Sequence, residues 1–222
     1  MSSAQAEELR GSKIDKKNRG LELLLKTFRD SIDLQRLIGL NHDELKASNI
    51  DSQFLGFIQY LAINSVAMCV CKIYEDSKHH ELDSIPSIIK SLPKTSNLTS
   101  KQQQKLIKFG KQYGISSKPT ELKSYLKGTL GLFLGLHSEE FEMFRIYRNK
   151  IGAHKDSKKA RLQLPSDIEF EAFFSFAKNF YEIVAEIIIK TVPTRFNKKT
   201  GEALIKLMET MGIENPREDI AN

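Results

Sequence analysis

The sequence has only two cysteines, Cys69 and Cys71, and they stand two residues apart. On a helix that spacing sends the two side chains to different faces, so a bond between them is disfavoured. A structural zinc site needs about four ligands at regular spacing, and a C-x-C pair does not supply them. Period-two alternation is missing, which argues against strands, and no internal repeat suggests a solenoid. No uninterrupted apolar run approaches the roughly 20 residues of a membrane helix. The opening MSSAQAEELRGSK lacks the apolar core of a secretory leader, so a cytoplasmic chain without a membrane span is the expectation.

What is present is core-forming material: 222 residues, 40% of them hydrophobic, enough to bury a real core. Thirty-four Lys and Arg against 28 Asp and Glu give a formal charge of +6, which favours association with polyanions such as nucleic acid. Residues 1–18 are polar and Lys-rich and read as a flexible start outside the core. A helical domain over residues 19–192 follows, and residues 193–222 read as a short C-terminal helix and a polar tail. Leu21, Leu24, Leu25, Phe28, Ile32 and Leu37 recur at mostly helical spacing. Asp51 or Ser52 can cap a second helix, Phe54 to Tyr74, which is apolar on nearly every side and is expected at the centre of a bundle.

Ser84 and Pro86 open a short helix that Pro93 ends, with Ile85, Ile88, Ile89 and Leu92 inward. Residues 94–118 form a polar insertion or peripheral arm with a helix in its middle, capped by Ser100 and Gln103. Gly128, Gly131 and Gly135 would let the next helix, Tyr125 to Leu136, approach a neighbour closely. Ser138 caps a helix with Glu139, Glu140 and Glu142 near its positive end. Ser166 and Glu169 form a capping box before the stripe Phe170, Phe173, Phe174, Ala177, Phe180, Tyr181 and Val184. The fold class is therefore all-α, an up-and-down helical bundle with a helical insertion and a short final helix.

Chemistry concentrates in RNKIGAHKD. Arg148 offers a planar fork of donors that matches phosphate oxygens, and His154 titrates near neutrality and can pass a proton. Six residues on an unbroken helix leave Arg148 and His154 about 120 degrees apart, so one copy makes a poor paired site. Two copies across a two-fold axis would bring two Arg and two His into one cleft. Arg145 reads as a helix-face charge that pairs with Glu142 or Asn149. His79, His80, Glu81 and Asp83, near Glu75 and Asp76, read as a solvated turn rather than a metal site. His42 reads as a turn or helix start, and His137 as the residue before the cap at Ser138.

The segment RNKIGAH resembles the R-(N/D/H)-x-x-x-x-H signature of HEPN domains, with Arg148, Asn149 and His154 in the signature positions. Ser84, Ile85 and Pro86, followed much later by Arg148 to Asp156, are similar to the abortive-infection, AbiU-type branch of that superfamily. The resemblance covers roughly Leu21 to Ile189. It implies a bundle that dimerises and a composite site that cleaves RNA with no metal or other cofactor. In that reading His154 is the proton-transfer group, Arg148 holds the phosphate and Asn149 orients it. Lys155, Lys158, Lys159 and Arg161 would track the RNA backbone. The implied setting is a toxin or antiphage system, with a cognate antitoxin or a nucleotidyltransferase as partner; Tyr147 would be a conceivable acceptor for the latter. The alternative is a non-catalytic helical module that binds RNA or a protein.

Overall fold

The computed structural model describes residues 3–48, 51–76, 83–93, 98–152, 165–196, 199–210 and Ile213. Among them there are nine α-helices, one π-helical turn and no strand. The order is α1 (Ser3–Leu40), α2 (His42–Ala47), α3 (Ser52–Tyr74), α4 (Ile85–Ser91), α5 (Ser100–Gln112), α6 (Leu122–Leu136), α7 (Ser138–Gly152), α8 (Asp167–Val184) and α9 (Lys199–Thr210). The π-helical turn Ala185–Ile189 continues α8. The all-α class read from the sequence is what the chain adopts.

Helix α1 is the spine, and it packs against α3, α8, α9, α4 and the π-helical turn. It starts at Ser3 rather than near Leu21, and Ile14, Lys17 and Asn18 are buried along it. The expected loose start outside the core is thereby corrected for these positions. Polar composition misled there because Ile14 is a lone core residue among charges, and Lys17 covers its burial by bonding Ser87 at the start of α4. Further along, Arg29 and Arg36 both bond the carboxylate of Glu171, tying α1 to α8. Arg29 also stands over the ring of Phe174, 5.2 Å from its centroid.

The main core is aromatic. Phe133 stacks on Phe176 at 4.2 Å, and Phe173 meets Tyr74, Phe133 and Phe144 edge-on. These contacts join α3, α6, α7 and α8. A smaller cluster, built from Leu37, Ile38, Leu45, Leu55, Ile205, Met208 and Ile213, seats α9 and α2 against the end of α1.

Helix caps fall close to expectation. Asp51 accepts the Gln53 N–H at 2.6 Å, Ser84 accepts the Ser87 N–H at 3.3 Å, and Glu169 accepts from Ser166. Helix α5 is capped one residue earlier than expected, by Thr99 with Gln102. It is no mere peripheral arm, because Leu106 and Phe109 enter the core. The glycine expectation for α6 is overturned: a Cβ at Gly131 or Gly135 meets nothing within 4 Å, and one at Gly128 meets only Ile115 at 3.9 Å. The close approach lies elsewhere, at Gly110 of α5, where a Cβ would run into the Tyr125 hydroxyl.

Candidate functional site

Helix α7 grows almost directly out of α6, and His137 both ends one helix and precedes the other. Its apolar side is fixed by Phe144 and Tyr147, which are buried. Near its start Phe141 lies 6.2 Å from Tyr74, between ring centroids. Near its end the Tyr147 hydroxyl donates to Asn64 Oδ1 at 2.8 Å. Helix α7 therefore runs antiparallel to α3, and the RNKIG segment is directed toward the N-terminal half of α3.

Arg148 sits on this line. Helical side chains lean toward the N-terminus of their own helix, so the guanidinium reaches back toward the C-terminal end of α3. There Nη1 donates to the carboxylate of Glu75. Nε and Nη2 both donate to Asn149 Oδ1, at 3.2 and 3.0 Å. Arg145 joins the cluster, with Nε 3.4 Å from Glu75 and Nη1 2.6 Å from Glu142. The expected pairing of Arg145 with Glu142 is present. Burial pulls the Arg148 pKa down, but the bond to Glu75 and the nearby charges raise it overall, so the side chain stays cationic.

Two guanidiniums thus meet two carboxylates, Glu75 and Glu142, and the formal charges of the cluster balance. Arg148 and Glu75 are each about a quarter exposed, 26% and 25%, so the pair is open to solvent. Chemically this is a partly exposed network of ion pairs that fixes where the Arg148 guanidinium stands. Glu75 is the residue that the sequence reading missed as part of it, because it was grouped with the solvated turn that follows α3. Its position one residue after the helix, on the same face as Cys71 four residues earlier, was the available signal.

Beside α7 runs a second feature. Helix α3, expected to be covered on nearly every side, is bare along one stripe. Phe54, Phe57, Tyr60 and Leu61 are 57%, 55%, 48% and 45% exposed, and Met68 follows two turns on. Positions 54, 57, 61, 64 and 68 recur at the three-and-four spacing of a helix-packing seam. Asn64, the partner of Tyr147, lies within it. By length and composition α3 is the one described helix that meets the requirement for a membrane span. It is nonetheless packed on α1 and α7, and Val66, Ala67, Val70 and Cys71 are buried.

The structure brings together Arg148 and Asn149. His154, Lys155, Lys158, Lys159 and Arg161 lie outside the described residues, as do His79, His80 and Glu81. The acidic neighbours of the histidine turn have other partners: Glu75 holds the two arginines, and Asp76 receives Lys90 at 2.6 Å. Tyr147 is buried and its hydroxyl is engaged by Asn64, which does not suit an acceptor for a transferred nucleotide. Cys69 and Cys71 are buried free thiols, as small core residues are; burial pushes their pKa values up to about 11 and about 12. No family model matches the chain, and neither a curated protein nor a solved structure matches it.

Proposed function

We propose that this chain is a metal-independent endoribonuclease of the toxin or antiphage-defence type, acting as a homodimer in the cytoplasm. The observation that carries the reading is the placement of Arg148: a cationic side chain, partly exposed, held by Glu75 and Asn149 at the end of the helix that leads into GAH. In the reaction His154 takes the proton of a ribose 2′-hydroxyl. The oxygen attacks the adjacent phosphorus, the bond to the 5′-oxygen breaks, and that oxygen receives a proton. The products are a 2′,3′-cyclic phosphate and a 5′-hydroxyl. Positioned proton transfer contributes about 10²–10⁴ in rate, and Arg148 stabilises the charge that grows on the phosphate.

The dimer supplies what one copy lacks, since a second copy is needed to bring two Arg148 and two His154 into one cleft. The bare stripe of α3 is the surface we assign to it. Its exposed aromatics and aliphatics offer roughly 400 Å² at about half exposure each. That is about half of the ~800 Å² which each partner contributes to a standard interface. No charged residue occurs between Ser52 and Cys71, so the net positive charge of the chain does not oppose self-contact there. The stripe also adjoins the end of α7, where the signature begins.

A second reading, a non-catalytic module that binds RNA or a protein, is favoured by the same cluster in one respect. Arg148 already has a carboxylate and an amide as partners, which is how a structural arginine is usually satisfied. Incubation with RNA and with DNA of the same sequence in excess EDTA separates the two. Cleavage of RNA alone supports the nuclease, and intact RNA with a dimeric protein supports the module.

A further inference from the structure

The positive charge of the chain is not spread evenly. Residues 84–120 contain seven lysines and no Asp or Glu, which leaves 27 basic against 28 acidic residues in all the rest. The whole net charge of +6 therefore resides in this one stretch. Helix α5 is its centre. Lys101, Lys105, Lys108 and Lys111 are exposed on it, and at 100 degrees per residue they occupy an arc of about 120 degrees over about 15 Å.

The opposite side of the helix is spent. Leu106, Phe109 and Gly110 are buried, with Phe109 against Tyr113 and Phe176. The acidic residues that line the groove beside this face come from α8 and the π-helical turn: Glu186 pairs with Lys105, and Glu182 lies 3.6 Å from Lys178. No ion pair among those residues engages Lys101, Lys108 or Lys111. Beside the lysines runs a groove between α5 and α8, with two cavities of about 220 and 260 Å³ that share Lys105 and Glu186. Gln112 and Asn179 line it and add amide donors and acceptors next to the lysines.

We infer that the exposed lysine face of α5 is a binding surface for the phosphate backbone of a nucleic acid, read without sequence preference. Each lysine is a hydrated point charge on a flexible stem, suited to phosphates that come in a row rather than to one fixed anion. A lipid surface fits less well, because an amphipathic helix lying on a bilayer inserts its apolar face, and the apolar face of α5 is already buried in the core. The surface does not depend on the reading of Arg148 and His154, because binding to it requires no bond to be cut.

The test uses the full-length protein and an oligonucleotide carrying 2′-O-methyl groups, which blocks cleavage through the 2′-hydroxyl, so that affinity is measured whether or not the chain is a nuclease. Affinity is followed by fluorescence anisotropy from roughly 50 to 200 mM salt, where backbone binding reveals itself by its salt dependence. Wild type is compared with the triple variant Lys101→Gln, Lys108→Gln, Lys111→Gln, whose substituted side chains are exposed and whose helix content and unfolding temperature are checked. The expected result is at least a tenfold loss of affinity at the low-salt end. The slope of log affinity against log salt should become shallower by about 2, at about 0.7 for each single-strand phosphate that is no longer neutralised. DNA of the same sequence should show the same loss. An unchanged affinity and slope would overturn the proposal, and so would a wild-type protein that binds no oligonucleotide. Equal binding of poly-glutamate with the same dependence on these lysines would overturn it in favour of an acidic protein partner.

Discussion

Glu75, just past the end of α3, receives the guanidinium of Arg148 from α7, and Arg145 approaches the same carboxylate. Glu75 thereby sets the position of Arg148, which begins RNKIGAH, while Arg145 is held more closely by Glu142, at 2.6 Å. The arrangement makes Glu75 a positioning residue. Glu75→Gln should lower the single-turnover rate of RNA cleavage about tenfold while RNA affinity is kept or rises, since a negative charge is removed. The pair is partly exposed, so the stability cost should be no more than about 1 kcal/mol by urea unfolding. A variant that loses affinity and rate together would count against the positioning role.

The bare stripe of α3 makes a prediction about assembly. Leu61→Glu, or Phe57→Glu, should convert a dimer into a monomer in light scattering while unfolding temperature stays near wild type, because about half of each side chain faces away from the subunit's own core. With about half of each side chain left to bury, loss of one such anchor is worth roughly 0.8–1.5 kcal/mol. Cleavage should fall with dimerisation. A wild-type protein that is monomeric at all accessible concentrations would remove the two-copy site.

Packing around Gly110 leaves no room for a side chain. Gly110→Ala places a methyl against the Tyr125 ring and should destabilise the protein by about 1–3 kcal/mol in urea unfolding. Gly131→Ala, in the open part of α6, should be neutral or stabilising by up to about 1 kcal/mol. Equal effects at both sites would contradict the described packing of α5 on α6.

The buried thiols predict a pH dependence. Their folded pKa values lie at about 11 for Cys69 and about 12 for Cys71, whereas an unfolded thiol titrates near 8.5. Above that pH the unfolded chain holds fewer protons than the folded one, so stability falls as pH rises, by up to about 1.4 kcal/mol per pH unit for each thiol. The stability of Cys69→Ala, Cys71→Ala relative to wild type should therefore improve between about pH 8 and 10 in urea melts. A constant difference would show that the thiols are not held neutral.

Much of the fold was legible because its signals are local. The capping residues Asp51, Ser84 and Glu169 and the aromatic stripe of α8 each depend on spacing within a few residues. What was not legible depends on partners far along the chain. Ile14 reads as an isolated apolar residue until α1 is seen to run back to Ser3. Gly110 reads as a helix stop until Tyr125 is placed over it. At the site, Arg148 and Asn149 were found from the motif, but Glu75 lies 73 residues before Arg148 and only the packing of α7 on α3 brings them together. The uncovered side of α3 was hidden for a related reason: an all-round apolar helix reads as central, and composition does not say which side a neighbour leaves bare.

The proposed ribonuclease activity of this chain requires Arg148 and His154 to act together in a reaction that uses the 2′-hydroxyl. The most direct measurement follows the ends produced when wild type, Arg148→Ala and His154→Ala act on a structured RNA and its matched DNA in excess EDTA. Wild type should cut RNA only and leave 2′,3′-cyclic phosphates. Each variant should be slower by at least about 10²-fold, while both remain dimeric. Intact RNA with a dimeric wild type, or cutting that survives loss of His154, would contradict the proposed reaction.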